Sequence, residues 1–230
     1  IIDEGQDMPP DFYSALIYMG FENFFVAADQ NQTIVSGKNS GRSDIEMHLG
    51  LNTDDVVELT QNFRNTAAIA ELVKEFYTGS AAVPIVEPSS IKTPNAQDIP
   101  LIFTFRDDQF YAIIRRILLM ADRSPHILIG IITPNNKVRQ TYFEALKKVT
   151  NQIHLDNGIP NIRTCFGGSK MKADFHQGGI MVINAHACKG LEFDRVFLAD
   201  INQHLVMGND KDHLKRLFYV MTARARQTLI

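Results

Sequence analysis

The sequence predicts an α/β protein, with parallel sheets flanked by helices, and three observations carry that expectation. Apolar runs alternate with segments of helical period along most of the 230 residues. The run Ile127 to Ile132 is apolar throughout, as a parallel strand buried on both faces is. Polar clusters follow several of the apolar runs, and open α/β sheets place their ligands beyond the carboxyl ends of strands.

Taken in order, Ile1-Ile2 enters a turn, and Pro9-Pro10 starts a helix carrying Phe12, Leu16 and Ile17. Phe24 to Ala28 and Val56 to Leu59 read as short strands, the first of them buried. Ile69, Leu72, Val73 and Phe76 stand at i, i+3, i+4 and i+7, the apolar face of a helix capped by Asn65 or Thr66. A Pro/Ser-rich connector from Pro84 to Pro100 reads as a surface loop. Leu101 to Phe105 is expected as a strand, Asp108 to Met120 as a helix and Ile127 to Ile132 as the central strand. The next helix uses Val138, Tyr142, Leu146 and Val149. Asn151 to Gln177 is turn-rich, with Asn157-Gly158 and Gly167-Gly168 as breakers. Ile180 to Ile183 and Val196 to Ala199 are two more strands, and Asp212 to Thr222 a helix.

Composition narrows the class without naming it. With 45% hydrophobic and 21% charged residues, the chain can bury a sizeable core. The net charge of −3 gives no electrostatic footprint for nucleic acid, although a local groove can be basic on a neutral protein. Cys165 and Cys188 lack pairing or metal-ligand spacing and read as reduced thiols of a cytoplasmic protein. No apolar run is long enough to span a bilayer, so no membrane partner is expected. The chain opens on Ile1-Ile2 rather than Met and closes on Thr228-Leu229-Ile230, and both ends look like interrupted strands. A piece of a longer protein is therefore expected.

Five clusters carry candidate chemistry. Asp3-Glu4-Gly5-Gln6-Asp7 sets carboxylates at a strand end, where one can hold Mg²⁺ through its waters and a neighbour can orient an attacking water. Alone, such a turn is more often a solvated loop. Asp29-Gln30-Asn31-Gln32 supplies an amide able to bridge a phosphate and water, and reads equally as a polar turn. Phe63-Arg64 offers a flat face for a base and a fork for phosphate, against the plainer reading of a core Phe and a surface Arg. His186-x-x-Lys189-Gly190-Leu191-Glu192-Phe193 gathers a His, a Lys, a Gly and a buried-looking Glu, with no second His or Cys pair at zinc spacing. Arg216-Leu217-Phe218-Tyr219-Val220, followed by Arg224-Ala225, makes a basic, aromatic helix. Its final Arg can reach a triphosphate on a neighbouring domain.

Together and in this order, the clusters resemble motifs II to VI of the UvrD/Rep/PcrA branch of superfamily 1 DNA helicases, from Asp3 to Arg226. The resemblance implies a RecA-like P-loop NTPase fold. Residues 1–62 would be the C-terminal part of a first RecA-like (ATPase) domain, and 63–230 a nearly complete second one. It implies ATP and Mg²⁺ as cofactors, and single-stranded or partly duplex DNA as partner, with RNA not excluded. By position, Asp3 resembles the Mg²⁺ ligand, Glu4 the residue activating water and Gln32 the γ-phosphate sensor. Phe63 resembles the adenine-stacking aromatic, Arg64 a γ-phosphate arginine, Glu192 the ribose contact and Arg224 the arginine finger. His186 and Lys189 fall where motif V meets the nucleic-acid backbone and the interdomain joint.

Four departures qualify the resemblance. No G-x-x-x-x-G-K-[ST] loop occurs in the chain, so an upstream part would have to supply the P-loop and the fragment alone is expected to be inactive. The Tyr and Trp that continue motif III are replaced by Thr33-Ile34-Val35-Ser36-Gly37-Lys38, which removes a base-stacking platform. About 117 residues separate Thr66 from Asn184, room for one RecA-like domain without a large accessory insertion. Ala28 and Ala223 replace the usual Gly and Thr. The leading expectation is an ATP-driven DNA helicase or translocase fragment. The rivals are an ATP-switched nucleic-acid-binding module that does not unwind, and a scaffold for protein contact.

Overall fold

The computed structural model describes residues 1–33, 39–78, 87–88, 99–165, 178–204 and 211–230. In chain order the elements are α1 (Pro10–Tyr18), α2 (Arg42–Leu49), β1 (Gln61–Asn62), α3 (Ala67–Lys74), β2 (Glu87–Pro88), α4 (Phe110–Arg123) and β3 (Leu128–Thr133). There follow α5 (Asn136–Thr150), β4 (Ile162–Thr164), β5 (Gly179–Asn184), β6 (Phe193–Leu198), α6 (Lys211–Thr222) and β7 (Ala225–Leu229). Five strands form one wholly parallel sheet in the order β4-β5-β3-β6-β7.

The central strand explains the sheet. All six residues of β3 are buried, and their side chains alternate between two separate cores. Leu128 and Ile132 join α3 and α6 on one face, with Met181, Ile183 and Val196. Ile129 and Ile131 join α4 and α5 on the other, with Ile180 and Val182. The helices carry matching stripes. Ile114, Ile117, Leu118 and Ala121 of α4 are buried, as are Val138, Tyr142, Leu146 and Val149 of α5. Asn135 caps α5, its side chain accepting the Val138 N–H at 3.0 Å. Both faces covered by helices is the condition under which a continuous apolar strand is stable.

Several sequence expectations need correction. Val56 to Leu59 forms no strand; Val57 is 82% and Leu59 79% exposed, and the Glu58 carboxylate pairs instead with Arg42. Leu101 to Phe105 makes only one described ladder-like bond, Leu101 N–H to Leu229 O at 3.1 Å, so it is extended but not a strand. Phe24 to Ala28 reduces to a single parallel bridge between Val26 and Ile2, with one further bond from Gly5 N–H to Ala27 O at 2.8 Å, and Phe25 is 67% exposed. In α1 the fully buried residue is Tyr13, while Ile17 faces outward. Thr66 occupies the cap position of α3 without a side-chain cap bond. β4 lies in a stretch expected to be turn-rich, and β6 begins three residues earlier than expected. Most of the 84–100 connector and Gly167-Gly168 lie outside the described residues.

Gly130 sits at the centre of β3 beneath the Phe193 ring, and a Cβ there would lie 2.6 to 2.9 Å from the ring carbons. Gly130→Ala is expected to lower stability by about 1–3 kcal/mol, the usual cost of overpacking. Urea unfolding reads this directly, and pairing the change with Phe193→Leu should restore part of the loss. An unchanged midpoint for Gly130→Ala would mean that the ring moves aside freely.

Candidate functional site

The acidic turn is shaped by its glycine. Glu4 adopts a left-handed conformation (φ 55°), and residues Gly5–Asp7 form a single 3-10 turn. A Cβ on Gly5 would lie 2.4 Å from Val26 Cγ1 and 2.8 Å from the Tyr13 hydroxyl, so only glycine lets the turn close on the Val26 segment. The Tyr13 hydroxyl donates to Gly5 O at 2.6 Å and locks it there. Gln6, fully buried, then aims the carboxylate: its Nε2 donates to Glu4 Oε2 at 2.6 Å, and its Oε1 accepts the Asp29 N–H at 2.9 Å.

The second turn is organised by Asp29. Its Oδ1 accepts the Asn31 N–H at 2.9 Å. Its Oδ2 accepts both Gln32 Nε2 and the Tyr219 hydroxyl, each at 2.9 Å. Tyr219 comes from α6, far along the chain, so this carboxylate joins the two halves of the sequence.

Two cations complete the closure. β5 ends in the 3-10 turn Ala185–Cys188, capped by Asn184, whose side chain accepts the Ala187 N–H at 2.9 Å. The turn delivers Lys189, whose Nζ lies 2.6 Å from Asp7 Oδ2, 3.2 Å from Glu4 Oε2 and 3.1 Å from Gln32 O. Three acceptors match the three donors of an ammonium. Arg224, beyond the end of α6, is 2% exposed. Its Nε donates to Val220 O at 3.0 Å, its Nη1 to Leu191 O at 3.3 Å and its Nη2 to Gln32 Oε1 at 2.8 Å. Burial lowers its pKa, the like charge of Arg64 acts the same way, and Glu4 opposes them. Asn65, buried before α3, donates to the carbonyls of Ala223 and Ala225 and so fixes the corner that carries Arg224.

Glu4, Gln32, Lys189 and Arg224 thus meet in one hydrogen-bonded network. Arg64 lies beside it, with its Nε 2.6 Å from Glu192 Oε1. Glu192, expected to be buried, has an exposed side chain, because the residue after Leu191 turns outward before Phe193 enters the sheet. Phe63 is 59% exposed, a free face rather than a core ring. Asp3 is exposed at the mouth of the turn, its Oδ1 accepting the Glu4 N–H at 3.0 Å. His186 stands apart from the network; partial burial, then the nearby His213, lowers its pKa. Sequence reasoning assigned no role to Gln6, Asp7, Asp29 or Tyr219, and offered Asn65 only as a helix cap. Only the position of Asp7 and Asp29 in acidic and amide-rich turns signalled them.

A parallel sheet covered by helices on both faces, with this cleft at its strand ends, makes the fold an α/β one of the ligand-binding kind. Residues 137–230 match the model of the UvrD-like helicase C-terminal domain family. The whole chain is 26% identical over 259 residues to a probable DNA helicase from Mycoplasma pneumoniae, and spans 42% of that protein's length. A solved structure, the C-terminal domain of a possible DNA helicase from Lactobacillus plantarum WCFS1, is 18% identical with a TM-score of 0.46, over 73% of this chain and 84% of that one. No described helix is long and apolar enough to cross a membrane.

Neither cysteine is in a disulfide; Cys165 is half-buried and Cys188 is buried against the Arg224 corner. Burial pushes the Cys188 thiol up to about 12. The thiolate is the reactive form, so at neutral pH a thiol reagent should leave Cys188 unmodified in the folded chain and label it once the chain unfolds. Rapid labelling of both thiols in the folded chain would show that the corner is open.

Proposed function

We propose that the chain is part of an ATP-dependent DNA helicase or translocase that couples ATP hydrolysis to movement on single-stranded DNA. Residues 1–62 close a first RecA-like domain, and 63–230 form the second. The P-loop comes from an upstream part of the same protein. The observation that carries the reading is the 2.8 Å contact between Arg224 Nη2 and Gln32 Oε1. It brings two candidate phosphate-facing groups together from opposite ends of the chain.

In this reading Asp3 would hold Mg²⁺. An exposed strand-end carboxylate fits an ion that keeps most of its waters, and no described cluster of three ligating side chains forms a cage. The ion neutralises phosphate charge when bound. Glu4 takes a proton from the attacking water, which requires its Oε2 to exchange the Lys189 ammonium for that water. Arg224 and Arg64 turn from Gln32 and Glu192 to the γ-phosphate, so phosphate charge competes with protein acceptors for the same guanidinium groups. Phe63 stacks on adenine and Glu192 contacts the ribose. His186 and Lys189 pass the change to the nucleic-acid side. A cytoplasmic setting, supported by two thiols that are not joined in a disulfide, belongs to the same reading.

A second reading, an ATP-switched binding module that does not unwind, draws support from the absence of aromatic residues in 33–38. Strand displacement by the P-loop-bearing protein separates the two.

The 230-residue chain alone should show no ATPase activity, and the P-loop-bearing protein should show turnover stimulated by single-stranded DNA. Clean turnover by the isolated chain would contradict the division of the site. In the longer protein, Arg224→Ala should lower kcat by about 10³-fold, the scale of an arginine finger, with ATP affinity within about threefold. Arg224→Lys, with a melting temperature compared to wild type, guards against mere unfolding. Loss of ATP binding by a folded variant would assign Arg224 to binding instead.

A further inference from the structure

Gln32 and Arg224 do not set their own geometry. A carboxamide keeps the same outline when its oxygen and nitrogen exchange places, so shape alone leaves Gln32 two orientations. Asp29 removes the choice. A carboxylate can only accept, so Gln32 presents Nε2 to Asp29 Oδ2 (2.9 Å) and Oε1 to Arg224 Nη2 (2.8 Å). The reversed amide would set N–H₂ against a guanidinium and C=O against a carboxylate, turning both contacts repulsive.

Asp29 is itself held by Tyr219. The Tyr219 ring is buried and packs on Tyr77 with centroids 5.3 Å apart, which leaves its hydroxyl little freedom to swing. Burial, and then the charge of Asp29, push the phenol well above the ordinary tyrosine range, so the group stays a donor at any pH the fold survives. Tyr219 lies on α6, and Arg224 follows the end of the same helix. One helix therefore grips the 29–32 segment at two points, Tyr219 at Asp29 and Arg224 at Gln32.

We propose that Tyr219 is a positioning residue: acting through Asp29, it fixes which end of the Gln32 carboxamide faces Arg224. The inference rests on the reading of Gln32 and Arg224 as the phosphate-responsive pair. Its consequence is that any displacement of α6 releases Asp29 and Gln32 together, so the sensor and the arginine change state as one unit.

Tyr219→Phe removes the hydroxyl and leaves the ring, and Gln32→Ala removes the group it is said to orient. In urea unfolding of the 230-residue chain, the midpoint shift caused by Tyr219→Phe should fall by at least half in a Gln32→Ala background. Additive shifts would overturn the proposal. In the P-loop-bearing protein, Tyr219→Phe should lower kcat about tenfold with KM for ATP within twofold, and have no further effect once Gln32 is Ala. Equal kcat for Tyr219→Phe and wild type would likewise overturn it. A wild-type protein without ATPase activity would defeat the proposed function, while the unfolding cycle would still decide the role of Tyr219.

Discussion

A guanidinium taken out of water must find acceptors within the protein, because an unpaired buried charge costs several kcal/mol. Arg224 meets that demand with Val220 O, Leu191 O and Gln32 Oε1. The first two belong to the sheet domain itself, so α6 and the β6 approach hold the head group wherever the rest of the chain goes. The third belongs to the opposite end of the sequence. Directly after Arg224 the chain enters β7, with Phe193 N–H donating to Arg224 O at 2.9 Å. The arginine thus stands at a corner that the parallel ladder defines on one side and Asn65 on the other.

The same economy governs the rest of the cleft. Lys189 leaves the end of β5 and finds Asp7, Glu4 and Gln32 O, all in the two turns of the first 33 residues. Lys189 is satisfied by acceptors from those turns and Arg224 takes one of its three from them, and phosphate attracts a guanidinium more strongly than a neutral amide does. A net charge of −3 says nothing about this, since the charges that matter are few, local and mutually paired. Proposed hydrolysis chemistry and proposed movement share one basis here, the exchange of protein acceptors for ligand acceptors around Lys189, Arg64 and Arg224.

Legibility followed burial. Elements covered on a whole face or on both faces were plain in the sequence: the β3 run, and the stripes of α3, α4 and α5, whose apolar spacing repeats the helical period. Segments whose partners are few were not. Val56 to Leu59 and Leu101 to Phe105 have strand-like composition, yet strand structure needs a neighbour's backbone, which local sequence does not encode. β4 went unseen for the converse reason, since three half-buried residues beside β5 leave no periodic signal.

The residue types and their order determined the parallel α/β class, and they placed Glu4, Gln32, Lys189 and Arg224 at the ends of apolar segments, where a cleft forms. Tertiary structure decided what those side chains touch. Asp29 and Tyr219 lie far apart in sequence, in two separate clusters, and nothing in either cluster pairs them. Only the packing of α6 against the 29–32 turn makes one the anchor of the other. Hydrogen bonds between distant segments depend on backbone placement to within a few tenths of an ångström, and that placement is set by the sheet and its two cores, not by local sequence.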